Sequence, residues 1–154
     1  MKTFLAYLKV GAVVLLLSPL AALSEPTNPC ALLQPGDLAS LLGGTPNATS
    51  KGPVCIWEIS GNPKNLKVVM SPQTGMTAEM NFGNAQKGAS KNPSYTEEKE
   101  LGARAFSLAG KGVVAIIALK NGNLFEFKYK TGDDDGGKGL EALRPVVKKA
   151  LTPF

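Results

Sequence analysis

The sharpest pattern in this 154-residue chain lies between Val113 and Tyr129. Val113 to Leu119 is an unbroken apolar run rich in β-branched residues, which suits a central strand buried on both faces. Asn121-Gly122 follows, and both residues accept the positive φ of a type I′ hairpin turn. A two-residue loop there pairs Lys120 with Asn123 and sets Ala118 opposite Phe125, Ile116 opposite Phe127 and Val114 opposite Tyr129. Side chains alternate across a strand, so these residues line one aromatic-rich core face. The other face sets Leu119, Ile117 and Ala115 against Leu124, Glu126 and Lys128. It is only half apolar, so it is either partly covered or partly a binding surface. Ile117, Leu119, Leu124, Glu126 and Lys128 are its candidate binding residues.

Weaker patterns flank this hairpin. Leu38, Leu41 and Leu42 share a helical face, with Pro35 in the first turn, Asp37 near the positive end of the dipole and Gly43-Gly44 as the stop. Thr45 to Pro53 reads as a loop. Val54 to Ile59 alternates as a strand with Cys55, Trp57 and Ile59 on one face. Ser60 to Pro63 is a turn, and Leu66 to Met70 completes a second hairpin. Thr74 is placed to cap a helix running to about Lys87, with Met76, Met80 and Gly83 inward and Gly88 at its end. Tyr95 to Glu100 and Ala103 to Leu108 have strand character, the latter with Phe106 and Leu108 on one side. Leu140, Leu143, Val147 and Leu151 mark a closing amphipathic helix with Lys148 and Lys149 at its negative end. Pro145 inside it predicts a kink or a restart. The sum is an α+β domain: a mainly antiparallel sheet of about five to six strands with two to three helices packed on it.

The N-terminal segment follows a different rule. Lys2 and Lys9 precede the apolar run Val10–Leu17, Pro19 breaks it, and Ala22-Leu23-Ser24 offers small residues to a signal peptidase. The expectation is a signal peptide over 1–24, cleavage before Glu25, and a single domain over 25–154. A retained spanning helix needs about 20 apolar residues, more than this run supplies. No transmembrane helix is therefore expected in the mature chain. Cys30 does not directly follow the small residues, which argues against a lipid anchor on it. The expected location is exported, periplasmic or secreted. In such a compartment Cys30 and Cys55, the chain's two cysteines, form one structural disulfide.

Composition narrows the chemistry. Loss of Lys2 and Lys9 leaves 15 basic and 12 acidic residues, a mild positive charge that calls for no nucleic-acid partner. The chain has no histidine, which removes Ser-His and Cys-His catalysis and imidazole metal sites. No Ser-x-x-Lys spacing replaces them. Gly132 to Gly139 approaches a phosphate-binding loop, but Gly139 stands where Mg²⁺ needs a hydroxyl, and three aspartates would repel phosphate. Asp133, Asp134 and Asp135 invite Ca²⁺, yet an EF-hand frame centred on Gly136 fails at Thr131 and Ala142, and a solvated loop before the last helix is the simpler meaning. Glu97, Glu98 and Glu100 could supply a hydrolase's carboxylate pair, but strand alternation divides Glu97 from the other two, and a charged edge strand fits better. Lys128, Lys130, Lys138, Arg144, Lys148 and Lys149 crowd the C-terminal third without forming a continuous stripe, because acids interleave them. Asn47-Ala48-Thr49 is a glycosylation triplet, and Trp57 beside Cys55 suggests core packing. No catalytic residue, cofactor or metal is implied.

Pro29-Cys30-Ala31-Leu32-Leu33, the aspartate-led helix ending Leu41-Leu42-Gly43, and Cys55-x-Trp57 opening a strand together resemble a family of small bacterial secreted proteins and lipoproteins of unknown function. Leu101-Gly102-Ala103-Arg104-Ala105 before the hairpin, and the closing amphipathic helix, extend the similarity over most of the mature chain. The resemblance implies paired cysteines, an α+β fold and an envelope location, and it brings no catalytic residues. The leading expectation is a non-enzymatic module that binds an envelope protein, a lipid or a small ligand. An inhibitor of a secreted enzyme is the alternative, followed by a carboxylate-based hydrolase.

Overall fold

The computed structural model describes residues 28–72, 76–132 and 135–154. The expected signal peptide, the Thr74 cap, Asp133 and Asp134 lie outside the described residues. Seven strands form one sheet: β1 (Asn47–Lys51), β2 (Val54–Glu58), β3 (Asn65–Pro72), β4 (Tyr95–Glu98), β5 (Arg104–Gly110), β6 (Val113–Lys120) and β7 (Asn123–Lys130). Their order is β1-β2-β3-β7-β6-β5-β4, and every neighbouring pair is antiparallel. Two meanders, β1 to β3 and β4 to β7, thus meet where β3 pairs with β7. Helices α1 (Pro35–Leu42), α2 (Met76–Ala89) and α3 (Gly136–Ala150), with a 3₁₀ turn at Pro29–Leu32, complete an α+β fold.

The β6–β7 hairpin has the predicted register, with Ala118 opposite Phe125, Ile116 opposite Phe127 and Val114 opposite Tyr129. Asn121 and Gly122 take φ values of 48° and 76°, the left-handed pair that a type I′ turn requires. The strand count exceeds the expectation because Asn47–Lys51, read as loop, pairs with β2. Every side chain of β1 is exposed, so no apolar alternation marked it. An edge strand needs only a backbone neighbour.

One face of the sheet carries Cys55, Trp57, Leu66, Val68, Met70, Val114, Ile116, Phe125, Phe127 and Tyr129, all buried. The leucines of α1 and the apolar stripe of α3 close over it as one cluster. Gly139 lets α3 come close: a Cβ there would stand 2.5 Å from Thr131 Cγ2 and 3.3 Å from Val114 Cγ1. The Tyr129 hydroxyl donates to the Leu41 carbonyl at 2.9 Å, and Asn62 Nδ2 donates to the Leu42 carbonyl at 2.8 Å, satisfying the open end of α1. Lys120 Nζ does the same for the Leu151 carbonyl after α3. The Cys30–Cys55 disulfide ties the 3₁₀ turn to the buried face of β2, with Cα atoms 5.1 Å apart at a sequence separation of 25. A closed loop of that size contributes about 3–4 kcal/mol on the chain-entropy account.

Two helix expectations are corrected. Met76 and Met80 are 87% and 59% exposed, and α2 turns Ala78 and Phe82 inward instead. The helix has two candidate stripes, and the one bearing an aromatic ring buries more apolar area against Phe106. Gly88 also lies inside α2, which ends at Ala89. In α3 the chain does not restart at Pro145: the helix is continuous across it. Pro145 is exposed while Leu143, Val146 and Val147 are buried, so the hydrogen bond it forgoes is outweighed by the packed stripe on the other side.

Candidate functional site

The second face of the sheet is where the candidate binding residues fall, and α2 divides them. Leu119 is buried and Ile117 and Leu124 are half-buried in the small cluster that Ala78, Phe82 and Phe106 make beneath α2. Arg104 fastens this helix from β5, with its guanidinium 5.0 Å from the Phe82 ring centre and paired to Glu79. Gln86 adds a hydrogen bond to the Tyr95 hydroxyl at 3.0 Å. Glu126 and Lys128 lie beyond the helix and are exposed. The apolar half of the predicted surface is therefore core, and the charged half is open.

The open half has members that the sequence reading did not single out. Lys67 on β3 lies directly opposite Lys128 on β7, and Lys130 follows two residues along the same face. No ion pair engages any of these three among the described residues. Beside them Val54, Ile56 and Val69 are half-buried on β2 and β3, outside the cluster beneath α2. On the β6 side, a groove of about 240 Å³ runs past Ser94, Leu108, Val113 and Ala115 to Lys128. The register of β3 against β7 was the missing information. Neither lysine reveals the other in the linear chain.

A larger cavity, about 500 Å³, opens between the end of β4 and α3, where Glu98, Glu100, Leu101, Arg144 and Lys148 line it. Glu98 is its chemical centre and is buried at 8% exposure. Arg144 grips it with two bonds, Nε to Oε2 and Nη2 to Oε1, each 2.9 Å, and the buried Ser107 hydroxyl donates to Oε1 at 2.7 Å. Burial pushes the Glu98 carboxyl up, but these bonds and the Arg144 charge prevail and hold it below the ordinary carboxylate range. The same contact raises Arg144. A carboxylate so stabilised is a poor proton donor near neutral pH.

Glu97 occupies the opposite face of β4, as alternation predicts, with the Tyr95 hydroxyl 3.4 Å from its Oε1. Both Glu97 and Glu98 nonetheless line the cavity beside α3, but they leave β4 on opposite faces, and Glu98 is engaged by Arg144 and Ser107. Glu98 is instead a clamp that holds edge strand β4 to α3. Its burial is the one feature of the acidic triplet that sequence reasoning missed.

The remaining candidates are structural. Asp135 caps α3 by accepting from the Gly137 amide at 3.3 Å. Asp37 joins Lys149 at 2.5 Å across α1 and α3. That bond, then the one from the Gln34 amide, lowers its carboxyl. Trp57 is core, as expected, although its Nε1 finds no hydrogen-bond partner among the described residues. Among those residues no group of three His, Cys, Asp or Glu could hold a metal ion, and no helix is long and apolar enough to cross a membrane. The chain matches no protein-family model, no curated protein and no solved structure.

Proposed function

We propose that this chain is an exported, non-enzymatic binding module of the cell envelope or extracellular space, and that it binds through the open half of the second sheet face. One observation carries the reading: β2, β3 and the far end of β7 keep half-buried aliphatic residues and exposed lysines together on a surface outside the cluster that α2 closes, among the described residues. A face needed only for folding would be closed by a helix or made uniformly polar. The disulfide, the signal-peptide pattern of 1–24 and the resemblance to small bacterial envelope proteins support the location. The locked Glu98 supports a binding role over hydrolysis by the acidic triplet.

The test is site-specific photocross-linking in the producing cell. A photoreactive residue at Val69 or Lys128 should give a discrete adduct. The same group at Lys99, just past edge strand β4 at the far end of the strand order, should give none. Equal labelling at all three positions would overturn the reading. Mass spectrometry of the same sample should find a chain beginning at Glu25, and an uncleaved N-terminus would overturn the proposed processing.

A further inference from the structure

We infer that the open half of the second face receives an acidic amphipathic helix from a partner protein. The inference rests on the binding reading above and names the class of partner. Seven strands at about 4.8 Å spacing make a surface about 29 Å wide, of which a helix about 10 Å across covers roughly a third. On this face α2 lies over Phe106 of β5, Ile117 and Leu119 of β6 and Leu124 of β7. What it leaves, over β2 and β3, is a strip wide enough for one more helix among the described residues.

The floor of that strip sets the occupant's apolar side. Val54, Ile56 and Val69 stand on adjacent strands, Val54 opposite Val69, and each is half-buried. The rim sets its charge. Lys67 and Lys128 face each other across β3 and β7, where like charges are unfavourable unless an anion lies between them. Lys130 adds a third cation beside Asn65. An apolar stripe flanked by carboxylates matches both features, and a helix presents that pattern at i, i+3, i+4 and i+7.

Glu126 favours a protein over a lipid surface. Glu126 is exposed two residues from Lys128, opposite Val69, where a sheet of anionic headgroups would meet a repulsive charge. A partner helix avoids it by placing a cation or a neutral residue at one position.

Three probes test this on the ¹⁵N-labelled, processed and oxidised protein: a synthetic amphipathic helix of leucine and glutamate, its lysine counterpart, and vesicles of anionic phospholipid. The acidic helix should shift the amides of Ile56, Lys67, Val69 and Lys128 saturably. The double variant Lys67→Glu/Lys128→Glu should weaken that binding by about tenfold or more, as expected for close charge pairs across an interface. A preference for the lysine helix or for the vesicles would overturn the inference while leaving the surface a binding site. No shift at those amides with any probe would also overturn it, and the cross-linking experiment then decides separately whether the surface binds at all.

Discussion

The two faces of this sheet are built from the same seven strands and finished in opposite ways. The first is closed: α1, α3 and the disulfide-tied turn seal a cluster that includes Trp57, Phe125 and Phe127. Apart from Trp57 Nε1, its buried side-chain polar groups have partners among the described residues, such as Tyr129 on the Leu41 carbonyl and Glu98 between Arg144 and Ser107. The second is half closed by α2 over a cluster of four buried residues, Ala78, Phe82, Phe106 and Leu119. The rest shows lysines side by side with aliphatic residues. The difference separates the residues that hold the fold from those free to serve something else.

The comparison breaks most visibly if the closed face is damaged. Phe127 is fully buried between Ile116 and Val68, so Phe127→Ala should destabilise the domain by about 3–5 kcal/mol in denaturant titrations. Reduction of Cys30–Cys55 should cost a similar amount, about 3–4 kcal/mol.

Next in size is the β4 clamp. Glu98→Gln leaves Arg144 without its anion, but the Arg144 side chain is 38% exposed and water recovers part of the loss, so about 1–3 kcal/mol is expected. The Glu98 carboxyl is lowered on folding, so its stabilisation is present above the unfolded value of about 4.3 and is lost as pH falls through the folded one. Stability measured from pH 6 to pH 3 should therefore fall less steeply in Glu98→Gln than in the parent. A parallel pair of curves would remove the clamp from the account.

A smaller contrast concerns motion. With only Ala78 and Phe82 buried, α2 should exchange its amide hydrogens faster than α3, which buries Leu140, Leu143, Val146, Val147 and Ala150. Equal protection of the two helices would show that the second face is closed as firmly as the first.

The elements whose local chemistry is distinctive were legible in the sequence. Asn121-Gly122 set a turn type, the turn set the register, and the register placed the aromatic residues, so the hairpin follows from two residues. The disulfide and α1 followed from cysteine count and caps in the same way. Pattern failed where burial is thin. β1 has no buried side chain to betray it, and α2 offers two stripes whose choice depends on Phe106, a residue on another strand. The candidate site was half legible for the same reason. Alternation showed that Glu126 and Lys128 share a face with Ile117, Leu119 and Leu124, but which of them α2 would cover is a tertiary fact. Lys67, Lys128's neighbour, lies 61 positions earlier in the chain.

The central claim is that the lysines of the open half serve a partner and not the fold. The most direct test is the denaturation midpoint of Lys67→Glu measured beside its affinity for the acidic helix. The variant replaces a like-charge cross-strand pair with an opposite one, so the domain should become more stable by roughly 0.2–1 kcal/mol while binding is lost. A midpoint that falls, with binding intact, would mean that Lys67 belongs to the structure, and the division between the two faces would not hold.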